Sequence, residues 1–206
     1  MFEINKSIAS AFTLPSNFYT DKAVFESLKE KIFAKTWHWI TTENEVPHSG
    51  SVYPFDLYER FLNEPLFFLR DKEQNLKCMS NVCTHRGNKL VQNQGTCKAL
   101  VCGYHGRRFN FDGEMEFMPE FDKAEDFPCK NDNLHKVPFA NFHNHLFTAL
   151  DPAFDFSEIA DVMNTKIGFL PIDNFKLDQT MSRDYLVNAN WALYCDNYLE
   201  GFHIPF

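Results

Sequence analysis

The sequence predicts an α+β fold with a small antiparallel β domain in the middle of the chain. Between about residues 50 and 150, short apolar segments of strand length alternate with polar turns such as DKEQN and Asp112-Gly113. Outside this region, apolar residues recur at three- and four-residue spacing, which is typical of amphipathic helices. The composition, 44% hydrophobic and 23% charged, is that of a folded globular protein. The predicted strands lie in SVYPFDLY, PLFFLRD, LKCMSN, KALVC, RFNF and HLFTALD.

The change in hydrophobic period divides the chain into three segments. Residues 1–45 are predicted to be an N-terminal helical segment, and residues 46–150 the β domain. Residues 151–206 have a mixed pattern, and they are too few to form an independent core. We therefore expect the sequence to be a fragment of a longer protein.

Helices are predicted on both sides of the β domain. The first covers about residues 21–37, with Thr20 as its N-cap. In the last segment, DFSEIADVMN is a possible helix and TMSRDYLVNA resembles a strand. A final helical stretch is predicted to open at Asn190, whose side chain suits an N-cap.

Charge and hydropathy exclude some partners. Twenty-eight acidic residues against 20 Lys and Arg give a net charge of −8, which disfavours nucleic acid. No apolar run is long enough for a membrane span, and the first residues lack the pattern of a signal peptide. We therefore expect a cytoplasmic protein, in which the six cysteines serve metal or thiol chemistry more readily than disulfides.

Two Cys/His pairs carry the strongest chemical signal. Cys83-Thr84-His85 is followed, after sixteen residues, by Cys102-Gly103-Tyr104-His105. In structural zinc sites, two to four residues generally separate the two ligands of a pair. Only Thr84 separates Cys83 from His85, so the first pair fits zinc poorly. A two-iron cluster, with both thiolates on one iron and both imidazoles on the other, suits the pattern better. A zinc site stays the alternative.

The segments CTHRG and CGYHG, at this spacing, resemble the Rieske domain of ring-hydroxylating oxygenase large (alpha) subunits. The resemblance implies that Cys83, His85, Cys102 and His105 bind a [2Fe-2S] cluster. It also implies an all-β domain of stacked antiparallel sheets with two cluster-binding loops, followed by the beginning of an α+β helix-grip catalytic domain.

The chain departs from this family and from its relatives at specific positions. Rieske proteins of respiratory complexes brace the cluster with a disulfide, but Asn88 and Gly103 stand at those cysteine positions. The loss predicts fewer hydrogen bonds to the cluster sulfurs and a potential of roughly −150 mV. The oxygenases usually have Trp after the second His-Gly, where this chain has Arg107-Arg108. These cations could dock an acidic ferredoxin or reductase, or pair with acidic residues of the next hairpin: Asp112, Glu114 and Glu116.

The end of the chain resembles the catalytic motif of the same family. If it is helical, Asp196, Glu200 and His203 lie on one face, at i, i+4 and i+7. The resemblance implies that His203 is a ligand of a mononuclear iron held by two His and one Asp in the full-length parent. It also implies that Asn197 lines the iron site and that Glu200 bridges a cluster His of one subunit to an iron His of its neighbour. An ordinary amphipathic helix is the alternative.

The implied function is that of an oxidoreductase, a Rieske mono- or dioxygenase. Electrons from NAD(P)H would pass through a reductase, and possibly a ferredoxin, to the cluster and then across a homotrimer interface to the iron. There O₂ would be activated to hydroxylate or demethylate a small organic substrate. The fragment itself is expected to transfer electrons only. A stand-alone Rieske ferredoxin and a zinc-stapled interaction module are the alternatives.

The resemblance leaves the substrate open between aromatic hydrocarbons, aromatic acids and quaternary amines such as choline or carnitine, with a slight preference for the choline monooxygenase branch. His143 and His145 are assigned structural roles on one face of a strand. The cysteines outside the two pairs are predicted to be buried apolar thiols: Cys78, Cys97, Cys129 and Cys195.

Overall fold

The structure, a computed structural model, describes residues 2–178, 180–201 and 204. The chain divides into two compact units. One unit is continuous and covers Ile32–Phe175, whereas the other combines Met1–Lys31 with Lys176–Phe206. Helices and antiparallel sheets are both present, which confirms the predicted α+β class.

The larger unit contains three antiparallel sheets, with strand orders β1-β10-β9, β4-β3-β2-β5 and β6-β7-β8. In chain order the strands are β1 (His38–Thr42), β2 (Ser51–Leu57), β3 (Glu64–Arg70), β4 (Leu76–Ser80), β5 (Gly95–Thr96), β6 (Leu100–Val101), β7 (Arg108–Phe109), β8 (Met115–Phe117), β9 (Phe139–Phe142) and β10 (His145–Thr148). Each of the six predicted strand segments in the β domain overlaps one of these strands.

Strand β3 lies at the centre of the core because both of its faces are buried. Side chains alternate across a strand, so Phe67 and Leu69 pack into one apolar cluster while Leu66 and Phe68 pack into another. This explains the uninterrupted apolar run LFFL. The cluster around Phe67 also includes Cys83 and the other predicted ligand thiol, so the central strand supports the candidate site.

The first predicted helix is shorter than expected and has a different N-cap. Asp21, not Thr20, caps helix α2 by accepting the N–H groups of Ala23 and Val24. Thr20 is instead the last residue of helix α1. The helices are α1 (Ser16–Thr20), α2 (Lys22–Leu28), a π-helical turn (Lys29–Phe33), α3 (Phe156–Ile167), α4 (Trp191–Glu200) and three 3₁₀ turns (Glu43–Glu45, Lys130–Asp132 and Ile172–Asn174).

The prediction of a strand in TMSRDYLVNA is wrong, since residues 180–189 contain no strand. Its β-branched and aromatic residues favour a strand locally, but no partner strand pairs with it in the described part of the chain. The predicted helix in DFSEIADVMN is confirmed by α3. Among the described residues, no helix is both long and apolar enough to cross a bilayer.

Replacing Phe67 with alanine tests the role of β3. Phe67 is fully buried, so we expect the cavity to lower the free energy of unfolding by about 3–5 kcal/mol in urea titrations followed by circular dichroism. Phe169→Ala is the control because this ring is 82% exposed, and its effect is expected to stay within about 0.5 kcal/mol. Equal losses for both variants would contradict the assigned core.

Candidate functional site

The first ligand loop comprises residues 83–88 and follows β4. The N–H of Cys83 donates to the carbonyl of Asn88 at 2.9 Å, and the N–H of Gly87 donates to the carbonyl of Cys83 at 3.0 Å. Gly87 has φ +72°, a conformation that a side chain would strain. These bonds close a tight turn that carries the half-buried His85.

The second ligand loop comprises residues 102–107 and joins β6 to β7. It closes in the same way, because the N–H of Cys102 donates to the carbonyl of Arg107 at 2.8 Å and the N–H of Gly106 donates to the carbonyl of Cys102 at 3.0 Å. Gly106 also has φ +72°. The two loops therefore share one backbone geometry, although the histidine follows the cysteine by two positions in the first loop and by three in the second.

The four predicted ligands come together as two like pairs. Cys83 and Cys102 are each 2% exposed and belong to the same buried apolar cluster, and each thiol affects the pKa of the other. The rings of His85 and His105 meet edge to face with centroids 4.9 Å apart. In the described part of the chain, no group of three or more His, Cys, Asp or Glu side chains is arranged to hold a single metal ion. Two thiols on one side and two imidazoles on the other form the donor set that a Rieske cluster needs, so these residues fit that group.

Backbone donors stabilise negative charge on one of the two sulfurs. Burial raises the pKa of the Cys102 thiol, but the N–H groups of Tyr104 and His105, together with the side chains of Cys83 and Asn88, outweigh burial and lower it overall. The pKa of Cys83 is raised, chiefly by burial and further by Cys102. Since metals bind thiolates, the N–H donors at Cys102 favour the state that a cluster requires.

The histidine of the first loop is held in its neutral form. Burial lowers the pKa of His85, and the positive charges of His105, Arg107 and Arg86 lower it further. A neutral imidazole has a free nitrogen lone pair, which metal binding requires. Thus the charge distribution around the loop agrees with a ligand role for His85.

Asn88 has a role that sequence analysis missed. Its side-chain Nδ2 donates to the Sγ of Cys102 at 3.7 Å and to the carbonyl of Lys89 at 3.0 Å. Asn88 was identified only as the residue that replaces a bracing cysteine. Its place directly after the loop glycine Gly87, at the position of the missing cysteine, was the signal. The low potential stays a prediction.

The two arginines after Gly106 have different surroundings. Arg108 lies at the surface, where it pairs with Glu116 at 3.1 Å, as one of the sequence alternatives predicted. Arg107 is 4% exposed and pairs with Asp132 at 3.2 Å, a residue that the sequence gave no reason to choose. Its Nη1 also donates to Thr84 Oγ1 at 2.8 Å. Because Arg107 is buried, it cannot be part of a docking surface.

Two further expectations need correction. His143 lies in the turn between β9 and β10 with φ +55°, not on a strand beside His145, and its Nδ1 lies 3.0 Å from Asp173 Oδ2. Cys129 and Cys195 are exposed, so the expectation that they are buried thiols is wrong.

Helix α4 carries two of the residues assigned to the iron site. Its N-cap is Asn190, as predicted, whose side chain accepts the N–H of Ala192 at 3.0 Å. The helix ends at Glu200, because Gly201 adopts a left-handed conformation with φ +63°. The argument from helical spacing therefore covers Asp196 and Glu200 but does not extend to His203, which lies outside the described residues.

A groove lies beside the C-terminal half of α4. Asp196 accepts a hydrogen bond from the hydroxyl of Tyr19, and the side chain of Asn190 donates to the carbonyl of Tyr19 at 2.9 Å. These bonds join α4 to the N-terminal segment of the same compact unit. The groove is lined by Thr13, Leu14, Tyr19, Asp196, Asn197, Leu199 and Glu200.

The fold and the paired ligand loops of residues 83–107 are typical of a Rieske domain, and comparison with known families agrees. The Rieske [2Fe-2S] domain family matches residues 36–128. Residues 36–128 are therefore assigned to a Rieske domain, and nearly the whole chain is similar to the oxygenase subunits of Rieske monooxygenases.

Individual relatives extend the similarity beyond the Rieske domain. The carnitine monooxygenase oxygenase subunit of Acinetobacter baumannii is 29% identical over 199 residues, covering 94% of this chain and 52% of the relative. The chloroplastic choline monooxygenase of Beta vulgaris is 28% identical over 203 residues, covering 95% and 44%. The quaternary ammonium Rieske monooxygenase CntA, solved with γ-butyrobetaine, superposes with a TM-score of 0.77 at 29% identity, covering 94% and 55%. The chain spans about half the length of the relatives it matches.

Alanine at each loop glycine tests the shared backbone design. Gly87→Ala is expected to cost about 1–2 kcal/mol through the left-handed backbone alone, since the nearest atom, Val82 Cγ1, is 4.0 Å from the new Cβ. Gly106→Ala is expected to cost more, because its Cβ would lie 3.1 Å from Pro119 Cγ. Urea unfolding of both metal-free variants measures the difference. An equal or reversed order would contradict the loop geometry.

Proposed function

We propose that the chain binds a Rieske [2Fe-2S] cluster, with Cys83 and Cys102 on one iron and His85 and His105 on the other. The observation that supports this most directly is the meeting of a buried thiol pair and an imidazole pair at two loops with the same closure. When bound, the cluster accepts and releases one electron at a time.

The protein surrounds the two ends of the site differently. The thiols lie in the apolar cluster beneath the loops, whereas His105 is exposed and His85 is half-buried. The N–H groups of Tyr104 and His105 stabilise charge at the buried Cys102 sulfur. We infer that electrons enter and leave at the histidine side, because only that side is accessible to a partner.

Purified protein is expected to contain two irons and two acid-labile sulfides per chain, with a reduced EPR signal of lower average g than an all-cysteine cluster. Cys83→Ser and His85→Ala each remove one ligand and should abolish this signal. Cys129→Ser is the matched control, since Cys129 is an exposed thiol outside both loops, and it should keep the full cluster. A bound zinc, or loss of the signal only in the control, would refute the ligand set.

For the whole protein we propose the role of a Rieske oxygenase alpha subunit. Residues 46–150 would be the cluster domain, and residues 1–45 and 151–206 would belong with the catalytic domain. The proposed cluster segment lies within the compact unit Ile32–Phe175, while Met1–Lys31 groups with Lys176–Phe206. Similarity to oxygenase subunits over 94% of the chain favours this role over that of a stand-alone Rieske ferredoxin.

The proposed catalytic residues are Asn197, Glu200 and His203. His203 would be one ligand of a mononuclear iron, Asn197 would line that site, and Glu200 would join it to the cluster of a neighbouring subunit in a homotrimer. Support comes from α4, which places Asn197 and Glu200 on one groove. An NAD(P)H-dependent reductase, with or without a ferredoxin, would supply the electrons.

We propose a quaternary ammonium compound as the substrate. The relatives that match nearly the whole chain are named as a choline monooxygenase and as the oxygenase subunits of carnitine and glycine betaine monooxygenases. The naphthalene dioxygenase structure is 24% identical over 69% of this chain, so that likeness concerns the fold alone. In a monooxygenase reaction, one oxygen atom of O₂ enters the substrate and the other leaves as water, which consumes two electrons from the reductase and two protons from solvent.

The full-length protein, with a reductase, is expected to oxidise at least one of carnitine, γ-butyrobetaine, choline or glycine betaine and to leave naphthalene unchanged. Glu200→Gln removes the bridging charge and should slow product formation by about 10- to 100-fold while the cluster signal persists. Product analysis by mass spectrometry and EPR of the same samples measure both. The control is Glu116→Gln, a surface acid of β8 paired with Arg108. Turnover of naphthalene alone, or an unaffected Glu200→Gln variant, would contradict the proposal.

A further inference from the structure

The residue that closes each ligand loop also reaches across to the other loop. Asn88 and Arg107 occupy the same place in their loops, five positions after the cysteine, where each main-chain carbonyl accepts the cysteine N–H. The side chain of Asn88 donates to Cys102 of the second loop, and the side chain of Arg107 donates to Thr84 of the first. The two loops are thus joined by a reciprocal pair of side-chain hydrogen bonds.

The bond from Arg107 is part of a larger network around its buried guanidinium. Its guanidinium donates through Nη1 to Thr84 Oγ1 at 2.8 Å and pairs through Nη2 with Asp132 Oδ1 at 3.2 Å. Thr84 in turn donates to the main-chain carbonyl of Asp132 at 2.6 Å. The guanidinium carbon also lies 5.5 Å from the ring centroid of Phe127. Thr84 lies between the proposed ligands Cys83 and His85. Arg107 therefore connects the first ligand loop to the segment 127–132.

The geometry of a guanidinium is needed for this arrangement. Arginine has several donors in a rigid plane and can serve a hydroxyl and a carboxylate together, whereas lysine has the same charge at a single point. Asp132 is fixed independently, because its Oδ2 accepts the N–H of Cys129 at 2.9 Å. The network therefore has its own anchor outside both ligand loops.

We propose that Asn88 and Arg107 are positioning residues that hold the two ligand loops at the separation a [2Fe-2S] cluster needs, and so replace a covalent brace between the loops with hydrogen bonds. This rests on the ligand set proposed above. Arg107 also places a fixed positive charge beside the first loop. Positive charge favours the reduced, more negative state of a nearby cluster, so Arg107 is expected to raise its potential.

Three variants separate the geometric role of Arg107 from its charge. Arg107→Met removes both, and Arg107→Lys keeps the charge without the planar fork. Thr84→Val keeps Arg107 and removes the hydroxyl that receives the cross-loop bond and donates to the carbonyl of Asp132. Arg108→Met is the matched control, since it deletes the same charge from the adjacent, exposed residue. Asn88→Ala tests the reciprocal bond.

The readouts are the rate of cluster loss in EDTA, followed by visible absorbance, and the midpoint potential at fixed pH. We expect cluster loss to be about tenfold faster in Arg107→Met, Arg107→Lys, Thr84→Val and Asn88→Ala, and less than about twofold faster in Arg108→Met. The potential should fall in Arg107→Met and stay near that of the wild type in Arg107→Lys. The proposal would be overturned if the variants that lose a cross-loop bond lost the cluster no faster than Arg108→Met does.

Two results distinguish this proposal from simpler failures. Arg107→Met leaves Asp132 without its partner, so this variant could lose its fold. Thr84→Val keeps the ion pair, and it decides the question if circular dichroism shows that Arg107→Met is unfolded. Wild-type protein without any iron or sulfide would instead refute the ligand set, and this proposal with it, whereas intact wild-type cluster with unaffected variants refutes the positioning role alone.

Discussion

The structure depends on holding two short loops so that their sulfurs meet in an apolar interior. Cys83 and Cys102 are part of the same buried cluster as Phe67 and Leu69 of β3, so the core that stabilises the domain is also the floor of the site. Unpaired charge is costly in such surroundings. In the second loop, the N–H groups of Tyr104 and His105 supply compensation by donating to the sulfur of Cys102, whose pKa is lowered overall, whereas burial keeps the pKa of Cys83 raised.

The same constraint accounts for the polar residues around the loops. A buried arginine is tolerated only with partners, and Arg107 has a carboxylate, a hydroxyl and an aromatic ring around its guanidinium. These partners come from the first ligand loop and from the segment 127–132. Stability and ligand placement thus use one set of interactions, while the imidazoles stay toward the solvent, where an electron donor or acceptor can approach.

Local pattern predicted much of this arrangement. The six strand segments of the β domain, helix α3 and the Asn190 cap followed from periodicity and cap chemistry, which act between near neighbours in sequence. The sequence analysis missed four strands: β1, β5, β8 and β9. Their own composition does not mark them as strands, and they form because neighbouring strands of each sheet pair with them. The helix over 21–37 was overextended, since a π-helical turn ends at Phe33 and the strand β1 begins at His38.

The sequence by itself predicted the kind of centre proposed here, because the spacing of Cys83, His85, Cys102 and His105 favours a two-iron cluster over a single zinc ion. Only the tertiary structure decided which neighbours support that centre. Arg107 and Arg108 are identical and adjacent in sequence, yet one is buried against Asp132 and the other is exposed beside Glu116. Burial and pairing depend on segments far apart in the chain, such as 102–107 and 127–132, and only folding brings those segments together.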